Sequence, residues 1–311
     1  MKPHKKGTAL WKQERFWAAI TPFLHPAGYA IINPEVERMS MITLLQAEER
    51  LRTDSKYAGQ LLEKLLLAFG GSEFFFGTDE KVAFLLDLSL PAENDRGVNF
   101  DIRLAYSLIN LYRRHRADRI QFFFRPAAGF TAEQTLEMRG YKALAALDNV
   151  QLHDLSREQT RSRRCGPGLT GDNIELYAPL AQADVVISLV KYKADQGKLF
   201  GSALHSLASC SPTEPEGEFR DRSLVDLYSV MTPDHFIIDG LIGSGGFQPQ
   251  AKDCLLAAAD AVAADAVLAA LAKIPAQQVG SLCLAAQYGL GNGDPSGIAL
   301  YGDDMSQLMK K

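Results

Sequence analysis

The chain has 311 residues, of which 47% are hydrophobic and 23% charged, as expected for a soluble globular protein of one large or two modest domains. Its formal net charge of −4 disfavours non-specific binding to nucleic acid, because proteins that bind nucleic acid usually carry an excess of basic residues. Its four cysteines lack any C-x-x-C spacing, which argues against a zinc ribbon, an iron–sulfur cluster or a disulfide framework, and we expect free thiols in a reducing cytoplasm.

Residues 1–35 are predicted to form an N-terminal extension to an α/β domain that spans 36–311. The first residues are basic, but no apolar segment follows them, so they do not resemble a secretory signal. Aromatic residues such as Trp11 and Trp17 alternate with basic residues and prolines, with one short helix expected near 11–20. This extension is expected to pack on the main body or to offer a surface to a protein partner.

Helices alternate with apolar strands over the first half of the domain. A helical spacing of apolar residues runs from Ser40 to Phe69, with a break at Asp54 and a stop at the glycine pair that follows. The apolar run V-A-F-L-L-D-L-S-L is typical of a strand that is buried on both faces. The elements predicted next are a helix from Asp101 to His115, a strand at 119–124, a helix begun by a Thr131–Gln134 capping box and ending near Arg139, and a strand at 149–155.

Residues 156–172 have the strongest loop composition of the chain, and a sub-domain boundary is expected there. Arg161, Arg163 and Arg164 could grip a phosphate or carboxylate, or could lie on a solvated mobile loop. The alternation of helices and apolar strands on either side predicts an α/β fold: a mainly parallel sheet flanked by helices in Rossmann-like layers.

The stretch from Ala183 to Asp265 is predicted to hold the functional site. Two apolar strands, A-D-V-V-I-S-L-V and H-F-I-I-D-G, each run directly into polar or glycine-rich residues. Open α/β proteins bind ligands where such strand ends converge. The histidines have no H-x-x-x-H or H-x-H spacing, so the sequence shows no local metal site, and it identifies no cofactor.

Within this stretch, Lys191 and Lys193 are expected on one face of a strand, with Tyr192 on the other. Asp239 is either a ligand or base, or a structural acceptor for loop amides. The candidate catalytic residues are Asp239, His205 and Lys191. The candidate ligand-binding residues are Lys193, Lys198, Ser202, Gly243, Ser244, Gly245, Asp260 and Asp265. Of the last two, one is expected to cap a helix and the other to point into the cleft; the lysines could equally be ordinary surface residues.

The segment from Cys254 to Ile274 is apolar and about long enough to span a bilayer. It contains Asp260, Asp265 and Lys273, and each charge would cost about 2.5–3.5 kcal/mol at the centre of a membrane helix. The sequence therefore predicts a helix of a soluble protein and no membrane association.

The order of segments over most of residues 55–303 resembles domain-of-unknown-function family 362 (DUF362). The segments that carry the resemblance are L-L-L-A-F-G-G-S-E-F-F-F-G-T-D-E-K-V-A-F-L-L-D-L, A-D-V-V-I-S-L-V-K-Y-K, T-P-D-H-F-I-I-D-G-L-I-G-S-G-G, L-L-A-A-A-D-A-V-A-A-D-A-V and Y-G-L-G-N-G-D. The resemblance implies an α/β fold, in a family without a general assigned activity. Many members carry a four-iron ferredoxin segment, and this chain has none.

The chain departs from the family pattern at several polar positions. Where the family's first strand usually ends in lysine-proline-asparagine-leucine, this chain has Leu85-Leu86-Asp87-Leu88. Ala194-Asp195 replaces the common histidine, and His205-Ser206 stands at the family's lysine-asparagine. These departures suggest a preserved fold with altered or absent chemistry.

Three hypotheses follow. The first is an enzyme that acts on a small oxygenated or anionic substrate, with Lys191 or Lys193 as anion clamp and Asp239 or His205 as acid or base. The second is a non-catalytic relative that pairs with a typical family member or a redox partner through residues 1–35 and the arginine-rich segment. The third is a ligand carrier or sensor that uses the same cleft without turnover.

Overall fold

The computed structural model describes residues 40–309, apart from 49–50, 52–53, 77–80, 93–95, 117, 138–139, 167, 196–198, 216 and 246–247. The predicted N-terminal extension at 1–35 and Lys198 therefore lie outside the described residues. Within those ranges, none of the helices is long and apolar enough to cross a lipid bilayer.

A nine-stranded mixed sheet and a two-stranded hairpin contain the strands of the described ranges. These strands are β1 (Met41–Gln46), β2 (Val82–Leu86), β3 (Ile120–Phe124), β4 (Val150–Asp154), β5 (Thr160–Arg164), β6 (Asn173–Tyr177), β7 (Val185–Asp195), β8 (Leu199–Gly201), β9 (His235–Gly245), β10 (Gln248–Ala258) and β11 (Ala299–Gly302). The large sheet follows the order β11-β1-β10-β9-β7-β2-β3-β4, and β8 pairs with β7.

Most strands of the large sheet run in one direction. Strands β9, β7, β2, β3 and β4 are parallel to one another, as are β1 and β11. Strand β10 is antiparallel to both β1 and β9. All five residues of β2 are buried. Parallel strands are usually covered on both faces, so a sequence such as that of β2 is an unbroken apolar run. The predicted α/β fold with a mainly parallel sheet is confirmed.

Helices cover both faces of the sheet. The first face packs against α1 (Ser55–Leu66), α2 (Gly71–Phe76), α3 (Ile102–His115), α4 (Ala132–Glu137) and α5 (Tyr141–Ala145). The second face packs against α6 (Ala178–Gln182), α7 (Ala203–Ser206), α8 (Arg220–Val230), α9 (Ala261–Leu271), α10 (Gly280–Gln287) and α11 (Met305–Leu308). Each face has its own apolar core, and the sheet separates the two.

Several predicted helix ends are confirmed by their caps. Asp54 accepts hydrogen bonds from the first amides of α1, and Gly70 ends that helical segment with a φ of 84°. Thr131 and Gln134 form the expected capping box: the amide of Thr131 donates to Oε1 of Gln134, and the amide of Gln134 donates to Oγ1 of Thr131.

Residues 41–46 form strand β1, so the prediction of a helix beginning at Ser40 is wrong there. Five of the six residues are buried; Ile42 and Leu44 face one core, and Met41 and Leu45 face the other. A strand that is buried on both faces shows no alternation of polar and apolar residues. Its short apolar run is therefore hard to distinguish from a buried helix by spacing alone.

The predicted helix from Cys254 to Ile274 is likewise a strand followed by a helix, because β10 ends at Ala258 and α9 begins at Ala261. The predicted loop at 156–172 contains β5, which pairs antiparallel with β6. All five residues of β5 are exposed, so no apolar pattern marked it in the sequence. The strands before and after this segment join the same sheet, and the sub-domain boundary stays a prediction.

Candidate functional site

Strands β7 and β9 are neighbours and run parallel, as the predicted convergence of their ends requires. Lys191 of β7 lies opposite Asp239 of β9, and β7 continues through both lysines. Because side chains alternate along a strand, Lys191 and Lys193 lie on the face that packs against α1–α3, and Tyr192 lies on the other. The structure therefore brings Lys191, Lys193 and Asp239 to one face of the sheet.

Lys191 and Asp239 form a fully buried ion pair. Nζ of Lys191 donates to Oδ2 of Asp239 at 2.7 Å, and both side chains are 0% exposed. The backbone N–H of Asp101 donates to the same oxygen at 2.8 Å, and the N–H of Leu241 donates to Oδ1 at 3.0 Å. Three donors thus hold the carboxylate of Asp239 inside the protein.

The buried position of this pair controls the titration of the groups around it. Burial raises the pKa of Asp239, and the charge and hydrogen bond of Lys191 together with the amide of Leu241 oppose that rise. Burial also raises the pKa of Tyr141 well above its ordinary value, and the charges of Asp101 and Asp239 add to the increase. The Tyr141 hydroxyl donates to the carbonyl of Phe100, so Tyr141 is a neutral donor beside the pair.

A second ion pair, between Lys193 and Asp87, lies nearer the surface. Nζ of Lys193 donates to Oδ1 and Oδ2 of Asp87 at 2.8 and 2.7 Å, and the two side chains are 25% and 13% exposed. Asp87 directly follows β2, and its Oδ2 also accepts from the backbone N–H of Lys191 at 3.2 Å. The carboxylate therefore ties the end of β2 to the two lysines of β7.

A third pair joins Asp101 and Arg103 at the start of α3. Asp101 caps this helix, and both carboxylate oxygens contact the guanidinium of Arg103, including Oδ1 with Nε at 2.8 Å. This hydrogen bond is the main reason that the pKa of Arg103 is raised. Three cations and three carboxylates thus balance one another along this part of the structure.

Asp87, Asp101 and Arg103 were not among the predicted site residues. One signal in the sequence could have identified Asp87, because it is the only charged residue within the apolar run that predicts a buried strand. Asp101 was predicted only as the start of a helix. Its contact with Asp239 spans 138 positions of the chain, and no local pattern encodes such a contact.

Described residues of the loop between Asp87 and Asp101 contact β9. Asn99 holds the loop together: its Oδ1 accepts from the amide of Ser89 at 3.1 Å, and its Nδ2 donates to the carbonyl of Leu90 at 2.8 Å. Gly97 has a φ of 66°, and a Cβ at this position would overlap the carbonyl oxygen of Gly243. A glycine is needed at 97 both for its backbone conformation and for its close approach to β9.

We therefore expect Gly97→Ala to lower the free energy of unfolding by more than the roughly 1–2 kcal/mol that a left-handed alanine costs. The matched control is Gly129→Ala, since Gly129 also has a positive φ, of 90°, but a Cβ there would meet no atom within 4 Å. Urea denaturation of the two variants measures the difference. Equal losses would show that the contact of Gly97 with β9 is unimportant.

His205 lies in α7, on the opposite face of the sheet from the buried pair. Helix α7 packs in the second core, where Oγ of Ser206 and Oγ of Ser188 are 3.2 Å apart. Burial, together with the smaller effects of the charges of Arg220 and Lys193, lowers the pKa of His205 to about 3. Its Nδ1 is 3.1 Å from Nη2 of Arg220. His205 is therefore neutral at neutral pH, and the structure does not place it with Asp239.

Asp260 and Asp265 both bind backbone amides instead of pointing into a cleft. Asp260 caps α9 through the amides of Val262 and Ala263. Asp265 is buried, and its two oxygens accept from the amides of Ala203 and Leu204 at 2.8 and 3.1 Å. Burial raises the pKa of Asp265 to about 7, and the hydrogen bonds from these two amides oppose the rise. The expectation that one of the pair caps a helix holds for Asp260, whereas Asp265 fixes the start of α7.

The remaining predicted residues are strand or turn residues, or lie outside the described ranges. Ser202 is buried and directly precedes α7. Gly243, Ser244 and Gly245 do not form the expected loop, because β9 continues through all three and pairs with β10. Ser244 is also paired with Lys193 in the sheet register. Lys198 falls in the 196–198 gap.

The predicted cleft is not open at the buried pair, because Lys191 and Asp239 have no exposed surface. A cavity of about 380 Å³ lies instead at the opposite ends of the same strands, and Asp184, Val186 and Asp234 help to line it. Among the described residues, no group of three or more His, Cys, Asp or Glu side chains is placed to hold a metal ion.

Comparison with known proteins places the chain in a family of unknown function. No curated protein matches it. Among solved structures, the lactate racemase apoprotein from Thermoanaerobacterium thermosaccharolyticum is similar at 13% identity and a TM-score of 0.34, over 68% of this chain and 53% of that one. A protein from Thermotoga maritima is similar at 10% identity and a TM-score of 0.31, over 60% and 50% of the two chains.

The chain spans about half the length of each of these two proteins, and neither similarity bears on what it binds or does. The family match does bear on identity, since the pattern of the domain of unknown function DUF362 fits residues 82–270, which is more than half of the chain. That range contains β7, β9 and all three ion pairs. The chain belongs to the DUF362 family.

Proposed function

We propose that this chain binds a small oxyanion, such as a carboxylate, beside Lys193, and that the Lys191–Asp239 pair stabilises the fold without contacting the ligand or taking part in acid–base chemistry. The observation that carries the proposal is the number of unused lysine donors. Each ammonium has three N–H groups. In the described part of the chain, the ammonium of Lys193 donates hydrogen bonds only to Asp87, and the ammonium of Lys191 donates only to Asp239.

The exposure of the two pairs decides which lysine meets a ligand. Lys191 is 0% exposed, whereas Lys193 is 25% exposed and lies at the end of the same face. An oxyanion that approaches from solvent therefore meets Lys193 first. Because Asp87 already neutralises much of the charge of Lys193, we expect modest affinity, with a dissociation constant in about the millimolar range for a two-carbon anion.

A role for Asp239 as acid or base is disfavoured by its environment. Its carboxylate has no exposed surface and accepts hydrogen bonds from Lys191, the amide of Asp101 and the amide of Leu241. A general base must come within hydrogen-bond distance of the proton that it removes. His205 is on the other face of the sheet, and its lowered pKa makes it a weak base. Binding without turnover by these residues fits the geometry better than catalysis.

Isothermal titration with glycolate and with inorganic phosphate tests the proposal, with ethylene glycol as the neutral control. We expect Lys193→Met to weaken binding of the anions at least about tenfold, because the exposed ammonium is lost. The matched control is Lys142→Met, since Lys142 is also an ion-paired lysine, 3.4 Å from Glu137, but lies on α5. Unchanged binding by Lys193→Met, or no anion binding by the natural protein, would overturn the proposal.

A further inference from the structure

The cavity of about 380 Å³ lies at the start of the parallel strands β7 and β9, at the edge of the sheet opposite the lysine pairs. It is open to solvent and is lined by residues of the β5–β6 hairpin, of α6, of the end of α8 and of the turn that leads to β9. Val186 in its wall and Lys191 are five residues apart on β7, which is about 16 Å along a strand. Its volume falls within the range of small-molecule sites, and it is separate from the site proposed above.

Two arginines of β5 stand at this cavity. Nη2 of Arg163 donates to the carbonyl of Ala181 at a weak 3.3 Å, and both guanidinium groups are exposed. The guanidinium of Arg164 makes no hydrogen bond or ion pair with any residue of the described ranges. The planar fork of a guanidinium matches the oxygens of a carboxylate or phosphate, so these arginines have donors available to a ligand.

The rest of the lining limits the kind of anion that fits. Val230 is partly exposed and supplies apolar surface to the cavity, next to the buried Leu176 and Leu180. Asp184 and Asp234 also line it; Oδ2 of Asp184 accepts from the amide of Lys81 at 3.1 Å, and Oδ2 of Asp234 accepts from the amide of Val186 at 2.9 Å. These two carboxylates balance the two arginines, which disfavours a highly charged ligand. A single oxyanion attached to an apolar body fits both parts of the lining.

From these observations we infer that the cavity is a second binding site, which takes a small amphiphilic oxyanion. Arg164 and Arg163 bind the charged group, and the apolar part of the lining, with Val230 at its surface, packs against the hydrocarbon part. The inference is independent of the function proposed for Lys193, because no residue contributes to both sites.

Titration of the protein with hexanoate, hexyl phosphate and neutral 1-hexanol tests this inference. We expect the natural protein to bind at least one of the two anions, and to bind 1-hexanol more weakly than that anion. The double variant Arg163→Met, Arg164→Met is expected to bind the anion at least tenfold more weakly than the natural protein. The control is Arg161→Met on the same exposed strand, since Arg161 does not line the cavity. The relative affinities of hexanoate and hexyl phosphate distinguish a carboxylate site from a phosphate site.

The Lys193→Met variant separates the two proposals, because it is expected to bind the six-carbon anions as well as the natural protein does. Circular dichroism checks that the arginine variants are folded, and their exposure makes folding defects unexpected. Equal binding by the double variant and by Arg161→Met would overturn the inference. So would the absence of binding of either six-carbon anion to the natural protein.

Discussion

Replacement of Lys191 by methionine is expected to lower the free energy of unfolding by about 3–5 kcal/mol. The substitution removes the cation and leaves the carboxylate of Asp239 in a fully buried position. Loss of one partner of a buried ion pair is costly, because the other charge stays without compensation in a medium of low polarity. Urea denaturation at neutral pH measures the loss.

Two further variants test the physical reason for this loss. The double variant Lys191→Met, Asp239→Leu removes both charges and is expected to recover most of the stability, since apolar replacements of buried pairs are often neutral or stabilising. Lys193→Met disrupts the more exposed pair with Asp87 and is expected to cost no more than about 1 kcal/mol. If Lys191→Met cost as little as Lys193→Met, the buried pair would have no special role in stability.

Asp265→Asn is expected to change how stability depends on pH. Burial raises the pKa of Asp265 from an ordinary 3.8 to about 7 in the folded protein. The folded protein therefore holds this proton more tightly than the unfolded chain does. The contribution of Asp265 to stability is full below about pH 4 and is lost as the pH rises to about 7. Asparagine does not titrate, so the variant lacks this dependence.

The measured quantity is the difference in unfolding free energy between the natural protein and Asp265→Asn at several pH values. We expect this difference to fall by on the order of 2–4 kcal/mol between pH 4 and pH 7.5. Glu137→Gln, a variant of an exposed carboxylate, serves as the control. A difference that stays constant with pH would mean that Asp265 titrates in the folded protein as it does in the unfolded chain.

The general fold could be predicted from the sequence because its central strands are buried on both faces. Strand β2 is an unbroken apolar run, β3 and the first half of β7 are mainly apolar, and helices such as α3 show a clear helical spacing. The same principle explains the error at β1, whose apolar run is too short to separate strand from helix. Strand β5 could not be predicted for the opposite reason: all of its residues are exposed, and only its backbone pairing with β6 defines it as a strand.

The candidate site could be predicted only in part. Alternation along β7 placed Lys191 and Lys193 correctly on one face, and the parallel pairing of β7 with β9 brought Asp239 beside them. The sequence does not encode which face a later helix covers, so His205 and Asp265 were assigned to the same cleft although they belong to the second core. The contact between Asp101 and Asp239 joins residues that are 138 positions apart, and no local pattern in the sequence predicts it.

The most direct test of the proposed site is the titration of glycolate into the folded double variant Lys191→Met, Asp239→Leu. If the buried pair is structural and Lys193 contacts the ligand, this variant binds glycolate with the affinity of the natural protein, within about threefold. Loss of glycolate binding in the double variant, together with normal binding in Lys193→Met, would contradict the account and would move the site to the buried pair.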